Sequence, residues 1–518
     1  MKPMICILLC LTLLLCGCSQ GSGKAYVPTG NALVMEGEDP DSVGPTQEDT
    51  LQEFTLAYYP DRSLNPLQSS DYTNRVLFSL IYQGLFSVDS EYNAYPILCS
   101  AWQVSADNRT YTFYIEESAT FSDGTRLTIN DVLATYQAAV ENGYYKGRFS
   151  HVTSIELSGD GGIVFTMNTP YEDLPMLLDL PILKASEVDA ERPLGTGPYS
   201  LEDSLSGAHL RRNMNWWCGS TRLAATAESI PLVVGESPSQ IRDSFEFDDV
   251  GLVCADPCSD NYADFRCDFE LWDNESGTML FLACNVRYSQ VFSNETIRAA
   301  LTYAIDRATI VEENYDNYAK ASTLAASPSS PYYSSTLASR YEFDPMKFIE
   351  ALNQIEKPED EIVLLVNNDD SARLRVAKDI AEMLTECGLP TKVTDLSTNM
   401  FKNYITNGRY DLYLGQTKLS PNMDLTEFFH PYGEMSWNGI SDAATYSLCL
   451  NALANSGNYY DLLKKVADDG RIVPILFTSY AVYAKRGLMS DLAPSRDNVF
   501  FYALDKTMDS TQIDTVYE

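Results

Sequence analysis

The stretch from residue 278 to residue 311 constrains the fold more than any other. Met279 to Cys284 is a short apolar run that suits a strand buried on both faces. After it, Ile297, Ala300, Leu301, Ala304, Ile305 and Ala308 recur at the helical period and predict one amphipathic helix. Ser293 or Asn294 can cap that helix. Glu295 falls in its first turn, where the helix dipole favours an anion. At 518 residues the chain is too long for one ordinary core, so two or three lobes are expected.

Other segments carry similarly local signals. Thr110 to Ile115 alternates as a strand, and Asp123-Gly124 suits a turn with positive φ. Thr128 and Asp131 form a capping-box-like start for a helix striped by Ile129, Val132, Leu133, Tyr136 and Val140. Further on, Ile362–Asn367 reads as a strand. A helix striped by Ala372, Val376, Ala377, Ile380 and Leu384 follows and stops at Gly388, and Lys392–Leu396 is another strand. Strands alternating with helices imply a mixed α/β lobe.

Charge excludes one class of partner. The chain holds 72 acidic against 36 basic residues, a formal net charge of −36, so it repels nucleic acid and anionic lipid. Enzyme signatures are also missing from the sequence. The three histidines, His151, His209 and His430, form no H-E-x-x-H pair, and there is no G-x-S-x-G elbow, Walker loop or EF-hand. No catalytic residue, metal ligand set or cofactor is expected. Cys254, Cys258 and Cys267 lack paired zinc knuckles, which leaves a disulfide or buried free thiols as the readings.

The N-terminus reads as an export signal. Lys2 precedes an apolar run from Ile5 to Cys16, too short to span a membrane as a mature helix. Leu15-Cys16-Gly17-Cys18 resembles the lipobox of bacterial lipoproteins, which implies lipidation of Cys18. Residues 1–17 are then a lipoprotein signal peptide, and 18–53 the lipidated Cys with a flexible tether rich in Gly, Ser, Pro and acids. The expected location is extracytoplasmic, anchored to the cell membrane.

Several motifs together resemble one family. Asn285 followed by Ile297-Arg298, Ala300-Leu301 and Ala304-Ile305-Asp306-Arg307 is similar to a signature of the extracellular solute-binding proteins of family 5, the peptide, dipeptide and nickel receptors of ABC importers. Roughly forty residues from Pro96 through Trp102, Phe113, Phe121-Ser122-Asp123-Gly124 and Asp131-Val132 resemble the family's second region, and Leu64-Asn65-Pro66 and Gly195-Thr196-Gly197-Pro198-Tyr199 resemble two further motifs.

The resemblance implies a two-lobed periplasmic-binding-protein-like α/β fold of the large cluster, with mixed sheets flanked by helices and a hinged cleft. Lobe I would comprise residues 54–85, 190–275 and 475–518, with an extra subdomain at 86–189 packed on it. Lobe II would span 276–474. It also implies a non-enzymatic, monomeric receptor that delivers short peptides or similar polar solutes to ABC permease subunits and their ATPases. A peptide-sensing lipoprotein, a binder of a metal chelate and a catalytic lipoprotein remain as alternatives.

The ligand-contact expectations are Tyr58, Tyr59 and Asp61 after the first strand, Thr417, Ser420 and Asp424 in a late loop, and Trp437 with Asn438. In the oligopeptide branch an aromatic and then an amine-pairing Asp follow the "Tyr-Asp" of Tyr410-Asp411. Here those places fall on Thr417 and Ser420, which puts free-amine recognition in doubt unless Asp424 substitutes.

Overall fold

A computed structural model describes residues 54–502, apart from 142–143, 215, 219–226, 260–264, 357, 359 and 490–491. The signal peptide, Cys18 and the tether lie outside the described residues. Two long antiparallel strands, Phe269–Cys284 and Ile472–Lys485, form the spine. They belong to an eleven-stranded mixed sheet that runs continuously through both lobes. On one side, residues 278–284 pair with Leu412–Lys418, which leads to Ile362–Asn367 and Thr391–Leu396. On the other side, residues 481–484 pair with Leu252–Ala255, and the sheet continues through Leu56–Tyr58 to Ser229–Val234. The register of the spine shifts between Glu275 and Thr278, where Gly277 takes φ +70°. A β-bulge of this kind inserts an extra residue and locally increases the twist of the strand.

The apolar run Met279–Cys284 is buried on both faces, as its composition predicts. Leu280, Leu282 and Cys284 enter one apolar cluster with Ile297 and Leu301, while Met279, Phe281 and Ala283 enter another with Leu365 and Tyr413. Alternating strand geometry sends successive side chains to opposite layers, so a strand covered by helices on both sides must be apolar throughout.

The helix predicted from 297 to 308 is instead two helices. Asn294 caps Glu295–Leu301 by accepting from the backbone N–H groups of Thr296 and Ile297. After a short 3-10 turn, Ile305 is extended (φ −106°, ψ 111°), and Asp306 caps Arg307–Tyr315 through the Thr309 N–H. The break frees carbonyls that the Arg307 guanidinium takes up: Nη1 donates to Thr302 O at 3.0 Å and to Ile305 O at 3.3 Å. Its Nε reaches Pro474 O of the spine at 2.9 Å. Arg298 is buried too, with Nη1 on the Phe292 and Ser293 carbonyls and Nη2 3.2 Å from Asp469 Oδ1. The two arginines of the signature therefore act as buried staples.

A separate four-stranded sheet, ordered Cys99–Val104, Thr110–Ile115, Ile163–Met167, Val152–Leu157 and covered by the helix Ile129–Glu141, lies within the residues expected to form the extra subdomain. Its core, including Phe113, Tyr136 and Phe165, is continuous with lobe I residues such as Leu56, Leu77 and Leu252. The Gly195-Thr196-Gly197 turn lies against the end of helix Tyr72–Ile81. A Cβ on Gly195 would stand 2.1 Å from Ile81 O, so only glycine permits that approach. Cys254, Cys258 and Cys267 are free thiols, which selects that reading over a disulfide among them.

Candidate functional site

A cavity of about 230 Å³ opens where three parts of the chain meet. The extra subdomain supplies Tyr144 and Arg148. The end of strand Leu412–Lys418 and its following loop supply Thr417, Lys418, Ser420 and Asp424, and the C-terminal segment supplies Arg496. Three of the expected contact residues, Thr417, Ser420 and Asp424, are thus brought together on one wall.

The others lie elsewhere and do not line this cavity. Tyr58 and Tyr59 are buried in two different apolar clusters. Tyr59 is tied to helix Tyr72–Ile81 by Asn74, whose side chain bonds both its N–H and its carbonyl. Asp61 is exposed. Asn438 holds the chain in place, donating Nδ2 to Ile405 O at 2.7 Å and to the Tyr410 hydroxyl at 2.9 Å, and Trp437 beside it is 39% exposed.

Asp424 is already engaged. One carboxylate oxygen lies 3.2 Å from His151 Nε2, and the other accepts from the Thr426 N–H at 2.7 Å. His151 Nδ1 lies 3.1 Å from Asn168 Oδ1, an acceptor, so both ring nitrogens face acceptors and the imidazolium form is favoured. Burial works most strongly against charging His151, but Asp424, Asn168 and Glu427 together outweigh it and raise the pKa. The same pair holds Asp424 below the usual carboxylate range despite burial. His151 and Asn168 belong to the extra subdomain and Asp424 to the far side of the cleft, so the pair clasps the two. Further bonds join the same surfaces: Asn422 Nδ2 to the Tyr171 hydroxyl at 2.6 Å, and the Tyr332 hydroxyl to Asp173 Oδ2 at 2.6 Å.

Behind the cavity-lining Arg148, Lys418 and Arg496 lies a buried cationic cluster centred on Asp497, which local sequence patterns do not single out. Its carboxylate lies 2.6 Å from Lys418 Nζ, 3.0 Å from Arg148 Nη2, 3.4 Å from Arg496 Nε and 3.6 Å from Arg75 Nη2. Arg148 also pairs with Asp179, and Lys418 Nζ donates to the Tyr144 hydroxyl at 2.8 Å. Burial disfavours ionised Asp497, but four cations outweigh it and hold its pKa well below the ordinary value. Lys418 sees the reverse balance. Burial, with Arg496 and Arg75 nearby, outweighs Asp497 and pushes its pKa down to about 7.

The motif residues Asn285 and Asp411 have structural work. Asn285 Nδ2 donates to Tyr410 O at 2.8 Å, and Asp411 accepts from Ser289 Oγ and the Val363 N–H. They stitch the spine to the neighbouring strands and so position the 417–424 loop.

Comparison with known proteins agrees with this architecture. The family model described as bacterial extracellular solute-binding proteins, family 5 Middle, matches residues 93–439. The glutathione-binding protein GsiB of Escherichia coli K12 is 22% identical over 398 residues, 72% of this chain and 74% of that protein. Among solved structures, HbpA2 of Haemophilus parasuis superposes with a TM-score of 0.72 at 18% identity, covering 87% of this chain and 98% of that one. The ABC transporter substrate-binding protein CtaP of Listeria monocytogenes gives 0.71 at 18% identity, covering 86% and 97%. The solved neighbours have the two-lobed periplasmic-binding-protein fold, and CtaP is a substrate-binding protein of an ABC transporter. The chain belongs to the bacterial extracellular solute-binding proteins of family 5, the substrate-binding components of ABC importers.

Proposed function

We propose that this chain is a lipoprotein receptor that captures a short peptide or a similar polar solute between its lobes and delivers it to a permease and its ATPases. Cys18 would carry the lipid that holds it, as a monomer, at the outer face of the cell membrane. The observation that carries the reading is the cavity walled by Thr417 and Ser420 on one side and by Tyr144 and Arg148 on the other. A ligand touching both walls favours the closed arrangement over any open one, which is how a hinged receptor couples binding to shape. Tyr58, Tyr59, Asp61, Trp437 and Asn438 would then shape the lobes around the site.

Ser420 stands where the oligopeptide branch has its amine-pairing acid, and Asp424 is taken by His151. Recognition that does not depend on a free peptide amine is the consequence. Thermal unfolding of residues 26–518 against peptides, metal chelates and oligosaccharides tests this. A ligand at 100 times its dissociation constant adds about 2.7 kcal/mol to folded-state stability. A shift with peptides that survives N-acetylation supports the reading; loss of the shift on acetylation refutes the amine-independent part. For the anchor, Cys18→Ser should abolish radiolabelled-palmitate incorporation and release the protein into the medium.

A further inference from the structure

One short segment ties the four-stranded sheet to the other side of the cleft. Tyr171, Glu172 and Asp173 follow the strand Ile163–Met167 and belong to no helix or strand. Each of the three is bonded across. The Tyr171 hydroxyl accepts from Asn422 Nδ2 at 2.6 Å. The Glu172 N–H donates to the Leu453 carbonyl at 2.8 Å, and its Oε2 accepts from the Ser456 N–H at 2.5 Å. Asp173 Oδ2 accepts from the Tyr332 hydroxyl at 2.6 Å.

The receiving groups are themselves joined. Tyr332 stacks on Tyr459 with ring centroids 4.1 Å apart, and the Tyr459 hydroxyl donates to the Asn422 carbonyl. Met176, just beyond the segment, is buried in the same apolar cluster as Tyr459 and Phe281. His151, beside the edge strand Val152–Leu157, adds its pair with Asp424 at 3.2 Å. Bonds connected in this way reinforce one another, and a region held by such a set opens as a cooperative unit. Tyr171, Glu172, Asp173, Asn422 and Tyr332 do not line the 230 Å³ cavity, so their bonds are made without a solute's help.

We propose that residues 171–173 are a latch, which holds the four-stranded sheet against the 422–424 loop and the helices Ala443–Ala454 and Tyr459–Asp469 and releases as one unit. Its members are positioning residues that act on a solute only through the closed arrangement. For the receptor described above, the apparent affinity for any solute is the intrinsic affinity reduced by the fraction of molecules that are latched. That consequence rests on the receptor reading. The latch itself does not, because all its bonds lie within the chain.

Amide-resolved hydrogen exchange of the full chain, with no solute added, tests the latch. The readouts are the N–H groups of Glu172 and Ser456, which sit on opposite sides and are both bonded across. Tyr332→Phe removes the hydroxyl on Asp173, and His151→Asn removes the pair with Asp424. Neither side chain is bonded to either amide. Each variant is expected to speed exchange at both amides by a similar factor, roughly tenfold for a hydrogen bond to a carboxylate. The Leu282 amide, in the middle of the spine, should keep its wild-type rate.

Unchanged exchange at Glu172 and Ser456 in both variants overturns the latch. So does a rise at only one of the two amides, because that side then frays alone. A variant that also exposes Leu282 has lost its fold. Tyr171→Phe, which removes only the hydroxyl bonded to Asn422, then takes its place under the same two criteria. Since no solute enters the measurement, failure of the latch leaves the receptor reading standing, and failure of that reading leaves the latch.

Discussion

Replacing Asp497 by Asn removes a carboxylate that touches cations from helix Tyr72–Ile81, from Arg148 and from the 412–418 strand at once. Two of its contacts are short, Lys418 at 2.6 Å and Arg148 at 3.0 Å, and two are longer, Arg496 at 3.4 Å and Arg75 at 3.6 Å. Breaking a buried ion pair by removing one partner costs about 3–5 kcal/mol. The lower end applies, because Lys418 sheds part of the strain by losing its proton from a pKa already near 7. With an unfolding entropy of ~2.1 cal/mol/K per residue, ~3 kcal/mol lowers Tm by ~7 °C if a lobe of ~200 residues unfolds alone, and by ~3 °C if ~450 residues unfold together.

The pH dependence has a definite sign. A lysine with a folded pKa below its ordinary value makes the folded state bind fewer protons than the unfolded one, so its contribution to stability rises with pH above the folded pKa. In Asp497→Asn the Lys418 pKa falls further, so the variant's deficit should widen from pH 8 to pH 5, as wild-type Lys418 takes up a proton that the variant's binds less readily. Asp497 itself stays ionised over that range, since its neighbours hold it well below the ordinary carboxylate value. Differential scanning fluorimetry at the two pH values measures both effects. A Tm within ~1 °C of wild type at pH 8 and pH 5 would refute the cluster as a buried hub, because solvated charges are worth little.

Three further outcomes follow from the same geometry. His151 has a raised folded pKa, so its pairing with Asp424 contributes fully below the unfolded value of about 6.5 and is lost as pH rises through the folded one. The Tm gap between wild type and His151→Asn should therefore be larger at pH 5.5 than at pH 9, and a constant gap contradicts the pair. Gly470 has φ +61°, and a Cβ there would stand 2.1 Å from the Arg298 carbonyl. Gly470→Ala should lose at least ~1–3 kcal/mol of stability, whereas Gly159→Ala, with open space around it, should stay within ~0.5 kcal/mol. Alkylation of denatured residues 26–518 without reductant should modify eight thiols, and a count of six by intact mass would reveal a disulfide.

What the sequence determined by itself is local or repeated. The apolar alternation of Met279 to Cys284, the cap at Asn294, the glycines at 124 and 388 and the motifs around Arg298 and Arg307 all act over a few residues. Backbone propensity and periodicity record them directly. The family and its two-lobed fold were legible for that reason. Even there, the period of the 297–308 stripe hid the break at Ile305. That break is stabilised by Arg307 bonding carbonyls and reaching the distant Pro474.

The site was legible only in part. Thr417, Ser420 and Asp424 are close in sequence and face one cavity, but Arg75, Arg148, Lys418, Arg496 and Asp497 are scattered along the chain. Among 36 basic and 72 acidic residues, each alone is indistinguishable from a solvated surface charge. Only the tertiary structure decided that they share a buried space, because Coulomb energy depends on distance and dielectric and not on sequence spacing.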